Sequence, residues 1–503
     1  MRVLFWYRGA ESLGVQYLSS ALKAAGHATA LWFDPGLDAT SYSDTELPFL
    51  RPLNRYDRLL RGAAAFDPDV VAFSVPSNLY PFAKAAARRL RRALPRAQFV
   101  IGGLHPTILP EFVLEDEPDL FDAACAGEAE EAFVEYLERL ETGSPKLRET
   151  KNFAFRVGGE TIVNPLRPWP EDLDKLPFPD KDLFWRAGSA RHWAAVITAR
   201  GCPYGCTYCF NQGMRDLYGV EKKYLRWRSV GNVIEELAQL KRRYPIEYFW
   251  FVDDIFTLSP KWLREFAGLY RREIALPFDC QIHPNFADPE RIELLKEAGC
   301  AHIFLGIDSG DEAVREEIMR RNTPTRHLLS VTDSIRRAGI RFTISFIFGL
   351  PGEDEAAMWR SVDLACRIRP DGVSSYVFYP YYGTEAYRES VRAGLLAPED
   401  VERIKQGAGN CHGATVLRHP HAGLANTLSK ALPLYVKTPA WLRPLLDLLI
   451  KRRMSAAADV LYIALSPILF PLVGLSWLRD YLAMAWRAQV GAVPGGGPER
   501  PSA

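Results

Sequence analysis

The chain has 503 residues, of which 48% are hydrophobic, so it is long enough for about three domains with buried cores. Lysine and arginine number 62 and acidic residues 61, and this balance excludes a strong overall field that would attract nucleic acid. Eight cysteines are too few for a disulfide scaffold, and the start MRVLFWYRGAESLG lacks a signal-peptide pattern, so we expect a cytoplasmic protein.

Short apolar runs alternate with helical patterns over residues 1–144. RVLFW, DVVAFSV and QFVIGG have the continuous hydrophobicity of buried strands, and an amphipathic stretch follows each run. This alternation predicts a doubly wound, Rossmann-like α/β domain whose ligand lies beyond the carboxyl ends of the strands.

The alternation stops over residues 145–190. A hairpin pattern, NFAFRVGGETIVN, leads into PLRPWPEDLDKLPFPDKDLF, which is rich in proline and acidic residues. This composition predicts a linker.

Six further apolar runs, each followed by a helical pattern, occupy residues 191–400. They read AAVITARG, EYFWFVDD, FDCQIHPN, HIFLGIDSG, RFTISFIFGLPG and GVSSYVFYPYYG. They predict a partial (β/α)6 barrel with its chemistry on the loops that follow the strands.

The last part of the chain is predicted to be a helical, apolar region over residues 401–490 with a disordered tail over residues 491–503. LRPLLDLLIKRR, at 442–453, is amphipathic with a basic end, and residues 460–478 carry no charge. Three interpretations stay open for this region: buried core or an oligomer contact, association with a membrane surface, and a membrane span, which two prolines oppose.

Three cysteines, Cys202, Cys206 and Cys209, lie within ARGCPYGCTYCF, just after the first barrel strand. Thiolates favour iron–sulfur clusters or zinc. A structural zinc site would need a fourth ligand, and none lies close by in the sequence, whereas a redox dithiol would leave Cys202 unexplained. Three ligands on a four-iron cluster leave one iron open, as a reactive metal site requires.

The C-x3-C-x2-C spacing, led by RGCPYGC, resembles the radical S-adenosylmethionine superfamily. The resemblance implies that the three cysteines bind a [4Fe-4S] cluster whose open iron chelates S-adenosylmethionine, which is then cleaved to a deoxyadenosyl radical.

Three later motifs also resemble this superfamily: FVDD at 251–254, GIDSG at 306–310 and FGLPGE at 348–353. Each could equally be an ordinary strand-to-helix turn. The motif GIDSG has aspartate where the superfamily usually has glutamate. The residues implied to contact S-adenosylmethionine are Asp253, Asp254, Asp308, Ser309, Gly349 and Pro351.

The first domain resembles the cobalamin-binding domain that precedes the barrel in one large class of these enzymes, through FSVPS, IGGLHPT and GEAE. The D-x-H-x-x-G motif that supplies an axial histidine is missing, so we expect no histidine on cobalt and expect His105 to bond locally or line the pocket. The residues implied to bind cobalamin are Ser74, Gly102, Gly103, His105, Thr107, Gly127 and Glu128.

The resemblance, which covers roughly residues 1–400, implies a cobalamin-dependent radical methyltransferase that acts on an unactivated carbon. One S-adenosylmethionine would methylate the cobalamin to methylcobalamin, and a second would supply the radical. Two alternatives stay open: a radical cyclase of the anaerobic magnesium-protoporphyrin ester cyclase type, and a sensor without turnover.

No side chain is assigned a catalytic role. Tyr379, Tyr381 and Tyr382, in YVFYPYYGTEAY, are expected to line the substrate cavity or to pack as aromatic core. The expected partners are a small-molecule or lipid substrate, such as a hopanoid or another secondary metabolite, and a reductant such as flavodoxin or ferredoxin, with no nucleic acid. The apolar C-terminal region suggests a peripheral contact with the inner membrane.

Overall fold

The computed structural model describes residues 1–9, 11–34, 56–188, 192–219, 224–458 and 460–461. It contains two large sheets, one in each half of the chain, with helices packed against them. The doubly wound N-terminal unit, the six-stranded partial barrel and the helical C-terminal region predicted from the sequence are confirmed.

The N-terminal sheet is built on five parallel strands. They are β1 (Arg2–Arg8), β2 (Ala28–Asp34), β3 (Val70–Ser74), β4 (Gln98–Gly102) and β5 (Ala123–Cys125). Their order, β2-β1-β3-β4-β5, places a topological switch point between β1 and β3. Their apolar runs are buried because helices cover both faces of the sheet. These helices are α1 (Leu13–Ala24), α2 (Tyr56–Phe66), α3 (Tyr80–Ala93), α4 (Leu104–Ile108), α5 (Pro110–Glu115) and α6 (Glu130–Glu141).

Residues 145–190 are not the simple linker that the sequence predicted. The hairpin forms strands β6 (Phe153–Val157) and β7 (Glu160–Val163), and β6 pairs antiparallel with β5. Helix α7 (Lys181–Ala187) then packs Phe184 against Phe33 of the same sheet. The hairpin covers the edge that β5 would otherwise expose, so this segment belongs to the first domain.

The second large sheet has six parallel strands in chain order, as predicted. They are β8 (Trp193–Val196), β11 (Tyr248–Phe251), β12 (Phe278–Ile282), β13 (Cys300–Asp308), β14 (Arg341–Phe348) and β15 (Gly372–Val377), and a short ribbon of β9 (Ala199–Arg200) and β10 (Arg226–Trp227) lies beside them. The helices are α8 (Phe210–Tyr218), α9 (Val230–Arg243), α10 (Pro260–Glu273), α11 (Pro289–Ala298), α12 (Thr325–Ala338), α13 (Glu355–Ile368) and α14 (Glu385–Arg392). The cysteine motif therefore lies on the loop between β9 and α8.

The C-terminal helices cover the last barrel strands and do not form a separate unit from residue 401. They are α15 (Pro398–Lys405), α16 (Ala422–Lys437) and α17 (Arg443–Lys451). Helix α16 buries Leu424, Leu428 and Leu432 in the barrel core, beside β14 and β15. The predicted uncharged stretch 460–478, from residue 462 onward, and the predicted tail 491–503 lie outside the described residues.

Membrane-spanning helices were one interpretation of this region. Within the described part of the chain, none of the helices combines the length and the apolar character that crossing a bilayer requires.

The end of α15 touches the first domain. Gln406 donates to the Asp116 carboxylate at 2.6 Å and accepts from Lys84 at 2.6 Å. Gly407 follows with a φ of 72°, and a Cβ there would collide with the carbonyl oxygen of Ser77. The two domains thus meet through backbone that only glycine allows to come so close.

We predict that Gly407→Ala lowers the free energy of unfolding by about 3 kcal/mol, from about 1–2 kcal/mol of left-handed backbone strain plus overpacking against Ser77. Gly394→Ala is the matched control, because Gly394 has a φ of 68° and no atom within 4 Å of its Cβ position. Urea unfolding of both variants measures the difference. Equal losses of unfolding free energy in the two variants would mean that Ser77 does not crowd an added methyl group at position 407.

Candidate functional site

The cysteine loop is anchored at both ends and in the middle. At its start, Gly201 has a φ of 98°, and a Cβ there would lie 2.5 Å from the carbonyl oxygen of Tyr224. In the middle, the Thr207 hydroxyl donates to the Ile318 carbonyl at 2.7 Å. At its end, Cys209 directly precedes the first turn of α8, and its amide donates to the Cys206 carbonyl at 3.1 Å. The first two contacts hold the loop in place through the barrel, and the third through the loop itself.

The three thiols are free and at least partly buried. Burial raises the pKa of Cys202 to about 12 and also raises the pKa values of Cys206 and Cys209. Burial therefore favours the neutral thiols, and a bound metal would deprotonate them.

Asp253 was predicted to contact S-adenosylmethionine, but its carboxylate is hydrogen-bonded to other groups of the chain. Its buried carboxylate accepts hydrogen bonds from the Thr198 hydroxyl at 2.7 Å and the Ala199 amide at 2.6 Å. Burial raises its pKa to about 6. Asp253 therefore fixes the segment that leads into the cysteine loop. The neighbouring Asp254 is exposed and accepts from the side-chain amide of Asn211.

Asp308 lies at the end of β13 with a φ of 69°, and three donors surround its carboxylate. They are the hydroxyls of Tyr208 at 2.6 Å and Ser345 at 2.8 Å, and the guanidinium of Arg321 at 3.3 Å. Arg321 also approaches the Cys206 sulfur at 3.9 Å. A partly buried cation therefore bridges the fourth barrel strand and the second cysteine.

Ser309, Gly349 and Pro351 lie on turns that the chain closes with its own groups. The Ser309 hydroxyl accepts from the Asp311 amide at 3.2 Å. In the FGLPGE turn, the buried Glu353 accepts from the Gly349 amide at 2.7 Å, and burial raises the Glu353 pKa to about 8. Pro351 lies within this turn and is partly buried.

The glycine-rich ends of the first sheet line a cavity of about 270 Å³. Five of the residues predicted to bind cobalamin lie on its wall: Ser74, Gly102, Gly103, Gly127 and Glu128. Ile197 and Arg200, from the barrel half of the chain, close the other side. The cavity is therefore shared between the two domains.

His105 and Thr107, also predicted to bind cobalamin, do not line this cavity. The His105 ring is buried 4.6 Å from the Tyr80 ring, and its Nδ1 lies 3.1 Å from the Ser77 hydroxyl. The Thr107 hydroxyl donates to the Gly103 carbonyl at 2.7 Å and accepts from the Gly127 amide at 2.9 Å. Thr107 thus ties together the two glycine turns that do line the cavity.

A group of four charged side chains, which we call the clamp, joins the cavity to the cysteine loop: Glu128, Glu130, Arg200 and Arg226. Arg200 pairs with Glu128 at 2.7 Å and with Glu130 at 2.6 Å, and Arg226 also pairs with Glu128. Burial alone would raise the Glu128 pKa, but the hydrogen bond from Arg226 and the charge of Arg200 bring that pKa below its ordinary value. Glu128 is therefore ionised at neutral pH.

The predicted substrate tyrosines belong to an apolar cluster with the C-terminal segment. Tyr379 is buried, its hydroxyl donates to the Ala408 carbonyl, and its ring lies 5.0 Å from that of Tyr381. Tyr382 packs 4.8 Å from Tyr387. These contacts account for aromatic packing, and a substrate role for the three side chains stays a prediction.

Comparison with protein families assigns both halves of the chain. The radical SAM superfamily matches residues 196–365, and the B12 binding domain matches residues 9–137. The chain belongs to the radical SAM enzymes that carry a B12-binding domain. The two matches contain the cysteine loop and the glycine turns respectively, so the family relationship rests on the residues that form the site.

Two relatives of this B12-binding radical SAM enzyme are methyltransferases. An uncharacterized methyltransferase of Pyrococcus horikoshii is 28% identical over 66% of this chain and 71% of its own length. The cytidylyl-2-hydroxyethylphosphonate methyltransferase of Streptomyces wedmorensis is 27% identical over 80% of this chain and 82% of its own.

Two further relatives are a cyclase and a methylase. The anaerobic magnesium-protoporphyrin IX monomethyl ester cyclase of Cereibacter sphaeroides is 24% identical over 77% of this chain and 63% of its own length. The hopanoid C-3 methylase of Methylococcus capsulatus is 24% identical over 76% of this chain and 69% of its own length.

A solved structure supports the fold over almost the whole chain. The cobalamin-dependent S-adenosylmethionine radical enzyme OxsB, with aqua-cobalamin bound, superposes with a TM-score of 0.67 at 15% identity, covering 98% of this chain and 77% of that one.

The cysteine loop suits the [4Fe-4S] cluster of this family. Among the described residues, no three His, Cys, Asp or Glu side chains are placed to hold one metal ion together. A four-iron cluster does not need them to be, because each thiolate binds a different iron. Cys209 at the N-terminus of α8 and Arg321 beside Cys206 both provide positive potential for an anionic cluster. Cys202, Cys206 and Cys209 would hold it.

The cavity suits part of a cobalamin molecule. A Cβ on Gly103 would lie 2.6 Å from the Val75 amide nitrogen, so only glycine lets this turn pack so closely against the end of β3. Gly102, Gly103 and Gly127 place backbone rather than side chains on the cavity wall. Apolar side chains such as Phe5, Leu13 and Phe133 line the interior, between the sheet and helices α1 and α6. The backbone wall and the apolar interior are compatible with part of a cobalamin molecule, which Ser74 and the glycines would hold.

Several residues of the site were not predicted from the sequence. Arg200 could have been suspected because it directly precedes Gly201, and Glu130 because it belongs to GEAE. Arg226 and Arg321 gave no signal, since an isolated arginine resembles any solvated charge.

We predict that Glu128→Gln lowers the free energy of unfolding by about 3 kcal/mol, because it leaves the buried Arg226 and the partly buried Arg200 short of a carboxylate. Glu131→Gln is the control: this neighbour is 62% exposed and pairs with Arg167, and its loss should cost about 0.5 kcal/mol or less. Urea unfolding of both variants tests the prediction. A loss at Glu128 no larger than at Glu131 would contradict a stabilising clamp.

We also predict that Arg321→Met lowers the midpoint potential of the reconstituted cluster by roughly 50 mV, since a partly buried charge that is shared with Asp308 is worth about 1 kcal/mol to the cluster. Redox titration followed by electron paramagnetic resonance measures this shift, and Arg321→Lys should restore much of it. Arg320→Met is the control, because the Arg320 side chain is 59% exposed and faces Glu385. Equal shifts at both positions would contradict a local effect of Arg321.

Proposed function

We propose that the protein is a cobalamin-dependent radical S-adenosylmethionine methyltransferase that transfers a methyl group to an unactivated carbon. The observation that carries this proposal is the direct link between the two cofactor-binding regions. Glu128 follows Gly127 of the cavity wall, Arg200 precedes Gly201 of the cysteine loop, and the two side chains are 2.7 Å apart.

Two further contacts hold the same regions together. The Tyr218 hydroxyl of α8 accepts a hydrogen bond from the Glu128 amide at 2.8 Å and fills the space in which a side chain at position 127 would lie. The turn at Gly383 lies against both Ile108 and Phe210, and Phe210 directly follows the third cysteine. A methyltransferase that uses two cofactors in turn needs such fixed positions, because a small misplacement of reacting groups costs much of the rate.

When bound, the cluster with S-adenosylmethionine supplies a carbon radical, and cobalamin supplies the methyl group. The chain's own residues bind and position these groups. Asp253 holds the entry to the cysteine loop through Thr198 and Ala199, and Thr107 holds the glycine turns. The ion pairs of the clamp hold these two sets of residues in a fixed position relative to each other.

A second candidate is a radical cyclase. The similarity to the anaerobic magnesium-protoporphyrin ester cyclase favours it, because that relative matches 77% of this chain. A sensor without turnover is the most distant alternative.

For the substrate we propose a lipid or isoprenoid. The similarity to a hopanoid C-3 methylase supports this class, and so does the exposed apolar character of the C-terminal helices. The proposal includes an external reductant such as flavodoxin or ferredoxin, no nucleic-acid partner, and a cytoplasmic enzyme with a peripheral contact at the inner membrane.

The test does not require the substrate to be known. The reconstituted protein is incubated anaerobically with cobalamin, a strong reductant and S-adenosylmethionine that carries a labelled methyl group. We predict that mass spectrometry finds label on cobalamin, together with S-adenosylhomocysteine and 5′-deoxyadenosine. The Cys202→Ala/Cys206→Ala/Cys209→Ala variant should form no deoxyadenosine, whereas Cys366→Ala, at a thiol on α13, should behave as the unmodified chain.

Deoxyadenosine without label on cobalamin would favour the cyclase and contradict methyl transfer. Cofactor binding without either product would favour the sensor.

A further inference from the structure

Helix α17 and the turn before it present an exposed apolar ridge, which we call the α17 ridge. Trp441 is 77% exposed, Leu445 67% and Leu448 54%. Their spacing of four and three residues places them on one face of the helix. Exposed side chains of this size in a row are unusual on a water-facing surface and mark an interaction site.

The opposite face of α17 fixes the rotation of the helix. Ile450 is fully buried, and the Tyr435 hydroxyl of α16 donates to the Asp447 carboxylate at 2.9 Å. The Arg443 guanidinium lies over the Tyr435 ring at 5.3 Å. Because these contacts hold the inner face against α16, the ridge cannot turn inward without breaking them.

Cations flank the ridge at the end of the helix. Lys451, Arg452 and Arg453 are exposed there, next to the exposed Met454. Asp447, the acidic residue of α17, lies on the inner face with Tyr435. Arg453 pairs with Glu355 at 3.4 Å, so the outward surface combines a tryptophan, two leucines and the cations Lys451 and Arg452. This is the composition of a surface that binds at the interface of an anionic bilayer.

We propose that the α17 ridge docks on the surface of an anionic lipid bilayer, with Trp441, Leu445 and Leu448 among the headgroups and the basic end against lipid phosphates. This inference deepens the proposed membrane contact by naming its surface and lipid chemistry. Vesicle binding requires no methyl transfer, so the two proposals fail separately: label transfer tests the reaction, and vesicle binding tests the ridge.

The ridge can be altered without disturbing the barrel, because its side chains are exposed. A truncation that removed α16 would uncover the barrel core, so point variants of the full-length chain are preferable. The test is co-sedimentation with vesicles of phosphatidylglycerol mixed with phosphatidylcholine, and with vesicles of phosphatidylcholine alone.

We expect Trp441→Ser/Leu445→Ser/Leu448→Ser to lower the partition coefficient at least about tenfold on the mixed vesicles. The matched control is Ile162→Ser/Val163→Ser, two exposed apolar residues on β7, which should leave binding unchanged.

The charge contribution is tested separately. Lys451→Gln/Arg452→Gln should lower binding to the mixed vesicles roughly twentyfold, at about fivefold per lost cation, with little change on neutral vesicles. Arg271→Gln/Arg272→Gln, at the exposed end of α10, removes the same charge elsewhere and should have little effect.

Three results would overturn the proposal. The first is that the unmodified chain fails to bind the mixed vesicles. The second is that the ridge variant binds them as well as the unmodified chain does. The third is a ridge variant that converts an oligomer to a monomer in sedimentation velocity while vesicle binding is unchanged, which would identify the ridge as a contact between copies of the chain.

Discussion

The largely buried ion pairs of Glu128 with Arg200 and Arg226 join the two domains next to the cavity. Paired charges are removed from water there, so losing one partner leaves the others uncompensated and costs far more than an exposed pair. The acid follows a glycine turn of the first sheet, and Arg200 precedes the cysteine loop of the second. The same contact that holds the domains therefore also sets the distance between the two cofactor-binding regions, which a reaction shared between them requires.

Buried acidic side chains elsewhere in the site form hydrogen bonds mainly with other groups of the chain. Asp253, Asp308 and Glu353 each accept hydrogen bonds from loop amides, hydroxyls or a guanidinium. Turns at the ends of parallel strands leave backbone donors unpaired, and a carboxylate satisfies several of them at once. Side chains in motif positions can thus serve the shape of a binding loop without being free to contact a cofactor.

Each sheet is completed by a later part of the chain. The hairpin β6–β7 covers the edge of the first sheet at β5, and α16 packs beside β14 and β15 of the second. Both additions bury apolar side chains that would otherwise face water. Neither the predicted linker nor the predicted C-terminal domain is independent, since each finishes the core of the unit before it. Helix α17 is different: its inner face packs on α16, but its outer ridge stays exposed.

The sequence by itself determined the features that depend on local spacing: the six barrel strands, the doubly wound alternation, the cysteine motif and the glycine turns. A strand or a metal-binding loop is formed by consecutive residues, so its pattern can be recognised before the fold is known. Only the tertiary structure decided which side chains meet across the chain. Glu128 and Arg226 are brought together by two domains, Arg321 reaches Cys206 from a different loop, and His105 and Thr107 bond to neighbouring groups instead of lining the cavity. These contacts depend on packing between distant segments, and that packing fixes directions and distances that no local pattern contains.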